Sequence, residues 1–264
     1  MKLKKTLITS ALLFTGVAMF VTDSHAATIS ANIDDIIISF RTKDNSITNN
    51  LEVDLGNWAN PISTIDLSAD LVSVYGASWN TNTQLVWSVV GTTYNNPPGS
   101  EQSYTIYYTA PTSPTLAIVT QPGTSGAQTQ AAGSINTLTA FLNGKTSFSS
   151  LGNDFVDPTS QAASYTKMEQ NGSVTKPFNF FANSGRLENG VASSGSNSSA
   201  FYKLVPTDEG GSGAVSLGSF SLGSNGTLSF TQAIPEPSTY ALVGLGALAL
   251  LKFRPRKFNV GLPA

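Results

Sequence analysis

The sequence predicts an all-β protein: an antiparallel β-sandwich, jelly-roll-like, with one or two short accessory helices, a signal peptide in front and a single hydrophobic helix behind. Three observations carry this. Short β-branched and aromatic runs recur along the chain, parted by turn residues. The body is rich in Ser, Thr, Asn and Gly, and only 11% of the chain is charged, a composition that favours strands and turns over long helices. No strand–helix–strand alternation appears, so a parallel, doubly wound sheet is not expected.

At the start, Lys2, Lys4 and Lys5 precede an apolar run of fifteen residues, Leu7 to Val21, followed by small residues at Ser24 and Ala26. That is the layout of a secretory signal peptide over residues 1–26, cut by signal peptidase between Ala26 and Ala27. The run is shorter than the roughly 20 apolar residues a membrane span needs.

A secreted β-rich domain over 27–232 follows. Ile33–Phe40 (IDDIIISF) reads as a buried strand. Leu51–Leu55 (LEVDL) alternates, with Leu51, Val53 and Leu55 on one face and Glu52 and Asp54 on the other. QLVWSVVG and SYTIYYTA read as two more strands, parted by the breaker Asn-Asn-Pro-Pro-Gly. Two stretches have helical spacing. One carries Leu67, Leu71 and Val74, with Thr64 or Asp66 as N-cap. The other carries Ile135, Leu138, Phe141 and Leu142, between Ser134 and Gly144. Residues 183–200 form a polar low-complexity stretch that reads as a long loop, and AFYKLVP reads as a strand. Asn225-Gly226, flanked by Phe220/Leu222 and Leu228/Phe230, predicts a closing hairpin with a tight two-residue turn, and Gly218 predicts a bulge.

The chemistry available to this body is narrow. The chain has no cysteine, and its one histidine, His25, lies in the signal peptide. Thiol nucleophiles, a Ser-His-Asp triad and zinc of the usual His/Cys kind are therefore excluded from the mature body. Between Ala27 and Ile234 stand seven Lys and Arg against fourteen Asp and Glu, a net charge near −7. Such a surface offers no footprint for nucleic acid.

The tail answers to different physics. Pro235, Glu236 and Pro237 hold an extended peptide. Thr239 to Leu251 then runs thirteen residues without charge, about 20 Å as a helix. A membrane helix at about 239–253 is expected, stopped on the cytoplasmic side by Lys252, Arg254, Arg256 and Lys257. Residues 258–264 form a short tail. A thin span behind an exposed extended peptide suits a temporary anchor, held in the inner membrane while an enzyme cuts outside it.

PEPSTYALVGLGALALL with its basic stop resembles the PEP-CTERM sorting signal of Gram-negative, biofilm-forming bacteria, over residues 233–257. The resemblance implies processing at or near Pro235-Glu236-Pro237 by an exosortase-type transpeptidase. It also implies release to the cell surface or extracellular matrix. Family tails usually end in an arginine run; here Pro255 interrupts the basic cluster and FNVGLPA follows. The body, through DDIIISFRT, NLEVDLGNW, DLSADLVSVYGASWNTNTQLVWSVVGT and GSFSLGSNGTLSF, resembles ectodomains of PEP-CTERM proteins with no assigned activity. No catalytic residue is implied.

Three functions are then in view. The first is a non-catalytic surface or matrix protein with a structural or adhesive role in exopolysaccharide or biofilm. The second is a carbohydrate-binding module meeting exopolysaccharide through Trp58, Trp79, Trp87 and the tyrosines of SYTIYY. The third, a carboxylate glycoside hydrolase, needs a pair of acids such as Asp154 and Asp157, Asp34-Asp35 or Asp208-Glu209. No cofactor is expected. Ca2+ is the one candidate ion, with Asp154 and Asp157 of GNDFVDP as its weak candidate ligands.

Overall fold

The computed structural model describes residues 27–94, 103–111, 125–170, 187–191 and 197–233. The expected signal peptide, sorting peptide and membrane helix lie outside them, and no helix within them is long and apolar enough to cross a membrane.

The β-branched runs build a single antiparallel sheet that curls into a half-barrel. Its strands are β1 (Asp35–Thr42), β2 (Asn49–Asn57), β3 (Thr64–Asp66), β4 (Leu85–Thr93), β5 (Thr105–Pro111), β6 (Asp154–Pro158), β7 (Asn189–Gly190), β8 (Asn197–Leu204), β9 (Ala214–Leu222) and β10 (Thr227–Gln232). They run in the order β3-β10-β9-β8-β5-β4-β1-β2-β6, with β7 paired to β4 off this path. The antiparallel, sandwich-like class is the one the sequence predicts. The curl of one sheet supplies its inner layer, which helix α1 (Ser68–Tyr75) closes, while α2 (Ser125–Leu142) and α3 (Tyr165–Gln170) cover part of its outer face.

Strand alternation divides the interior in two. On the inner face, Ile36, Ile38 and Phe40 of β1 meet Leu51, Val53 and Leu55 of β2 and Leu85, Trp87 and Val89 of β4. Helix α1 closes this side with Leu71 and Tyr75. The Tyr75 hydroxyl donates to Phe40 O (2.7 Å) and accepts from Leu51 N–H (3.0 Å), tying the helix to two central strands. On the outer face, Ile37, Val90, Ile106 and Tyr108 pack against Ala131, Ala132, Ile135, Leu138 and Leu142 of α2. Each large side chain buried in this way contributes roughly 1.5–3 kcal/mol.

The two expected helices are present, and α2 begins earlier than its Leu/Ile pattern indicated, because Gln128 and Ala131 also face the sheet. Gln128 Nε2 donates to Tyr104 O and Leu204 O, so a polar residue completes the apolar stripe by bonding to strand ends. Gly144 (φ +78°) follows the helix. Ahead of α1, Asp66 caps through its side chain, accepting from Ser68 N–H at 2.9 Å, although Leu67 occupies the capping position itself.

The closing hairpin forms, with a different turn. Among the described non-glycine residues only Asn45 and Tyr104 have positive φ, so Asn225 does not adopt the mirror-image turn. Instead Gly226 N–H bonds Gly223 O and Gly226 takes φ +89°, a four-residue turn ending in a left-handed glycine. A Cβ at Gly226 would come within 2.6 Å of Ser68 Cα, so the turn also needs glycine to dock on α1. The bulge is where Gly218 placed it: Phe201 pairs Gly218 while Tyr202 pairs Ser216, leaving Leu217 extra.

Both ends of the body are tied into this fold. Ala27 O accepts from Ser147 N–H and Ile29 N–H bonds Lys145 O, both at 2.8 Å. At the other end Ala233 N–H bonds Leu217 O at 2.9 Å.

Candidate functional site

Beneath α3 the outer face of the sheet changes character. Where α2 covers apolar residues, α3 covers Ser39 of β1, Asn50 and Glu52 of β2, Ser88 of β4 and Asp157 of β6, all fully buried. The register brings them together. Ser39 stands opposite both Glu52 and Ser88, and Asn50 opposite Asp157. The first turn of α3 is fastened to this row. Tyr165 N–H donates to Glu52 Oε1 (3.0 Å), the Thr166 hydroxyl donates to Asn50 Oδ1, and the Tyr165 hydroxyl and Ser88 Oγ lie 2.5 Å apart. Asn50 Nδ2 donates to Asp157 Oδ1 at 3.2 Å.

Glu52 and Asp157 are the core of this layer. Register sets both side chains on one face of the sheet, within electrostatic reach of each other. Each uses one oxygen elsewhere, which leaves Glu52 Oε2 and Asp157 Oδ2 without a hydrogen-bond partner among the described residues. Burial pushes Glu52 well above the usual carboxylate range, and the Asp157 charge pushes it further. Burial raises Asp157 to about 6, against the opposing bond from Asn50. On the same face, Arg41 Nε and Nη2 make a two-pronged bond to Glu188 Oε1 and Oε2, both at 2.7 Å, and both residues are buried. Glu188 comes from the stretch read as a polar loop. Its neighbours Asn189 and Gly190 form β7, and Leu187 and Val191 are buried.

The candidate ligands Asp154 and Asp157 do not share a site. GNDFVDP forms edge strand β6, and residues three apart in a strand point to opposite faces. Asp154 pairs with Val53 and faces inward, where its Oδ1 accepts from the Ser147 hydroxyl (2.5 Å) and Ser149 N–H (3.3 Å). Asp157 faces outward to Asn50 and Glu52. Although a proline follows it, Asp157 lies within the strand. No group of three or more His, Cys, Asp or Glu side chains converges among the described residues.

The other acids are spread out. Asp35 opens β1, its Oδ2 accepting from Asn32 N–H at 2.6 Å. Asp208 and Glu209 lie in an exposed 3-10 turn. Asp54 accepts from Gly56 N–H, and burial raises it to about 6. The aromatics expected of a sugar platform are mostly interior: Trp79, Trp87, Tyr107 and Tyr108 are buried. Trp58 is half-buried, stacked on Tyr107 at 4.6 Å with Lys203 Nζ 4.7 Å above its ring. Of the processing residues, Ala27 is exposed at the start of the body; Ala26, Pro235, Glu236 and Pro237, and the basic stop Lys252, Arg254, Arg256 and Lys257, lie outside the described residues.

The carboxyl pair escaped the sequence reading because nothing in LEVDL distinguishes a polar face turned to solvent from one turned to a helix. Both carboxyl groups are fully buried, and their outer oxygens fasten α3 through Tyr165 N–H and through Asn50 and Thr166.

Fold and site define a single all-antiparallel β domain with a helix-covered outer face. Directly after it, residues 233–257 match the PEP-CTERM protein-sorting motif. The motif marks an exosortase-targeted surface protein, processed by exosortase and destined for export to the surface or the extracellular space. Comparison with curated proteins and with solved structures finds no match.

Proposed function

We propose that the mature protein is a non-catalytic surface or matrix protein, a compact β domain with a structural or adhesive role in exopolysaccharide or biofilm. The observation that carries this is the join between body and tail. The last backbone hydrogen bond described in the domain is made by Ala233, and the sorting motif starts at the same residue. Pro235 stands two residues on, at most about 7 Å of chain away. The folded domain is thus presented as cargo immediately in front of the processing peptide. The burial of Glu52, Asp154 and Asp157, each bonded within the fold, supports a role without catalysis. Signal peptidase acts at Ala26/Ala27 and a membrane transpeptidase near Pro235-Glu236-Pro237, with the inner membrane a transient station.

The test is the intact mass of the protein recovered from surface and medium, with and without the sorting transpeptidase, together with the matrix yield of cells lacking this protein. A species from Ala27 to about Pro237, lost in the transpeptidase mutant, and a thinner matrix are expected. A species that keeps Lys252 to Ala264 in both strains would make the tail a plain anchor. An unchanged matrix would remove the structural role.

A further inference from the structure

We propose that Glu52 and Asp157 are bridged by a single proton between Glu52 Oε2 and Asp157 Oδ2, a pH-sensitive latch that seats α3 and edge strand β6 on the sheet. The geometry requires a donor between them. Both residues are fully buried at neighbouring positions on one face of the sheet, Glu52 Oε2 and Asp157 Oδ2 have no hydrogen-bond partner, and two ionised carboxylates cannot hydrogen bond to each other. One proton satisfies both atoms at once. The outer oxygens show what the latch holds. Glu52 Oε1 takes the Tyr165 N–H, while Asp157 Oδ1 takes Asn50, whose own oxygen takes Thr166. Three elements, β2, β6 and α3, therefore meet at one proton.

Among the described residues few other charged groups face the pair. Arg41 of β1 lies on the same face and is committed to Glu188 beside β7. From α3 come the Tyr165 hydroxyl, bonded to Ser88, and the half-buried Lys167. Tyr75 of α1 senses both carboxylates from the inner face. Burial holds both carboxyls above the ordinary carboxylate range, the Asp157 charge raises Glu52 further, and Asp157 gives up its proton at about 6.

The sign follows. Unfolded carboxylates release protons near about 4. Above that the folded pair binds more protons than the unfolded chain, so its contribution is complete at acid pH and is lost as pH rises through about 6 and beyond.

The test compares the unfolding equilibria of the purified full chain and its Glu52→Gln variant in detergent from pH 5 to 8. A glutamine amide donates permanently where the proton sat. The wild type should lose stability with rising pH more steeply than E52Q, by up to about tenfold in folding constant per pH unit. E52Q should be at least as stable as wild type at pH 8, with Tyr165 N–H more protected from exchange. Asp54, also raised to about 6, contributes the same slope to both proteins and cancels. Should E52Q fail to fold, D157N carries the same test, and 13C shifts of labelled Glu in the wild type must report a protonated Glu52 at pH 7. Equal slopes in wild type and variant, an ionised Glu52 at pH 7, or a Ca2+-dependent gain in wild-type stability at pH 8 that E52Q loses would overturn the latch; the last would put a cation where the proton is placed.

Discussion

The two faces of β2 use one strand in opposite ways. Leu51, Val53 and Leu55 enter an apolar interior where aromatics stack: Phe201 meets Phe220 edge-on at 5.2 Å, and Trp58 lies flat on Tyr107 at 4.6 Å. Asn50, Glu52 and Asp54 enter an equally dry interior made of hydrogen bonds. Burial alone does not distinguish these faces; what distinguishes them is how much each loses when a partner is removed. An apolar face loses area and gains a cavity. A polar face loses a partner and keeps the desolvated group that needed it.

The largest expected effect tests the apolar side. Trp87→Ala, at a fully buried position beside Phe40, should cost about 3–5 kcal/mol in denaturant unfolding. On the polar side, Glu188→Ala removes the two-pronged partner of buried Arg41 and should cost about 3 kcal/mol. Replacing Arg41 and Glu188 together by apolar residues should recover much of that loss, which a pure packing account does not predict. Asp54→Asn sharpens the contrast by reversing its sign. Asp54 is raised from 3.8 to about 6 by burial, so its ionised form is penalised at neutral pH. The asparagine can still accept from Gly56 N–H. The variant should therefore be more stable than wild type at pH 7, by about 1–3 kcal/mol on the scale of 1.36 kcal/mol per pKa unit. The gain should vanish below about pH 4. Gly226→Ala, where φ is +89° and Ser68 crowds the site, should cost roughly 1–2 kcal/mol without altering the pH profile. Smallest of all, Val215→Ser, 55% exposed on β9, should stay within about 0.5 kcal/mol.

The difference between the faces also explains what could be read in advance. Strands in IDDIIISF, LEVDL, QLVWSVVG and SYTIYYTA, the two helical spacings, the closing hairpin and the Gly218 bulge follow from local periodicity and turn chemistry, which act over a few residues. So does the address, because a sorting peptide is recognised as an extended sequence in its own right. Strand β6 was hidden in GNDFVDP, whose Asn, Asp and Pro read as a loop; it exists because β2 offers an unpaired edge. Strand β7 and Glu188 were hidden in a polar stretch for the same reason.

By itself, then, the sequence determined the class of fold, its acidic body without cysteine or mature histidine, and a tail whose Pro-Glu-Pro, short apolar run and basic stop mark it for processing. Only the tertiary structure decided that Asp154 and Asp157 part to opposite faces, that Trp79 and Trp87 are core, and that Glu52 meets Asp157 beneath α3. The physical reason is separation along the chain. Alternation records which residues share a face of one strand. It carries no record of which distant segment, 105 positions on in the case of Asp157, will cover that face and take its polar groups out of water.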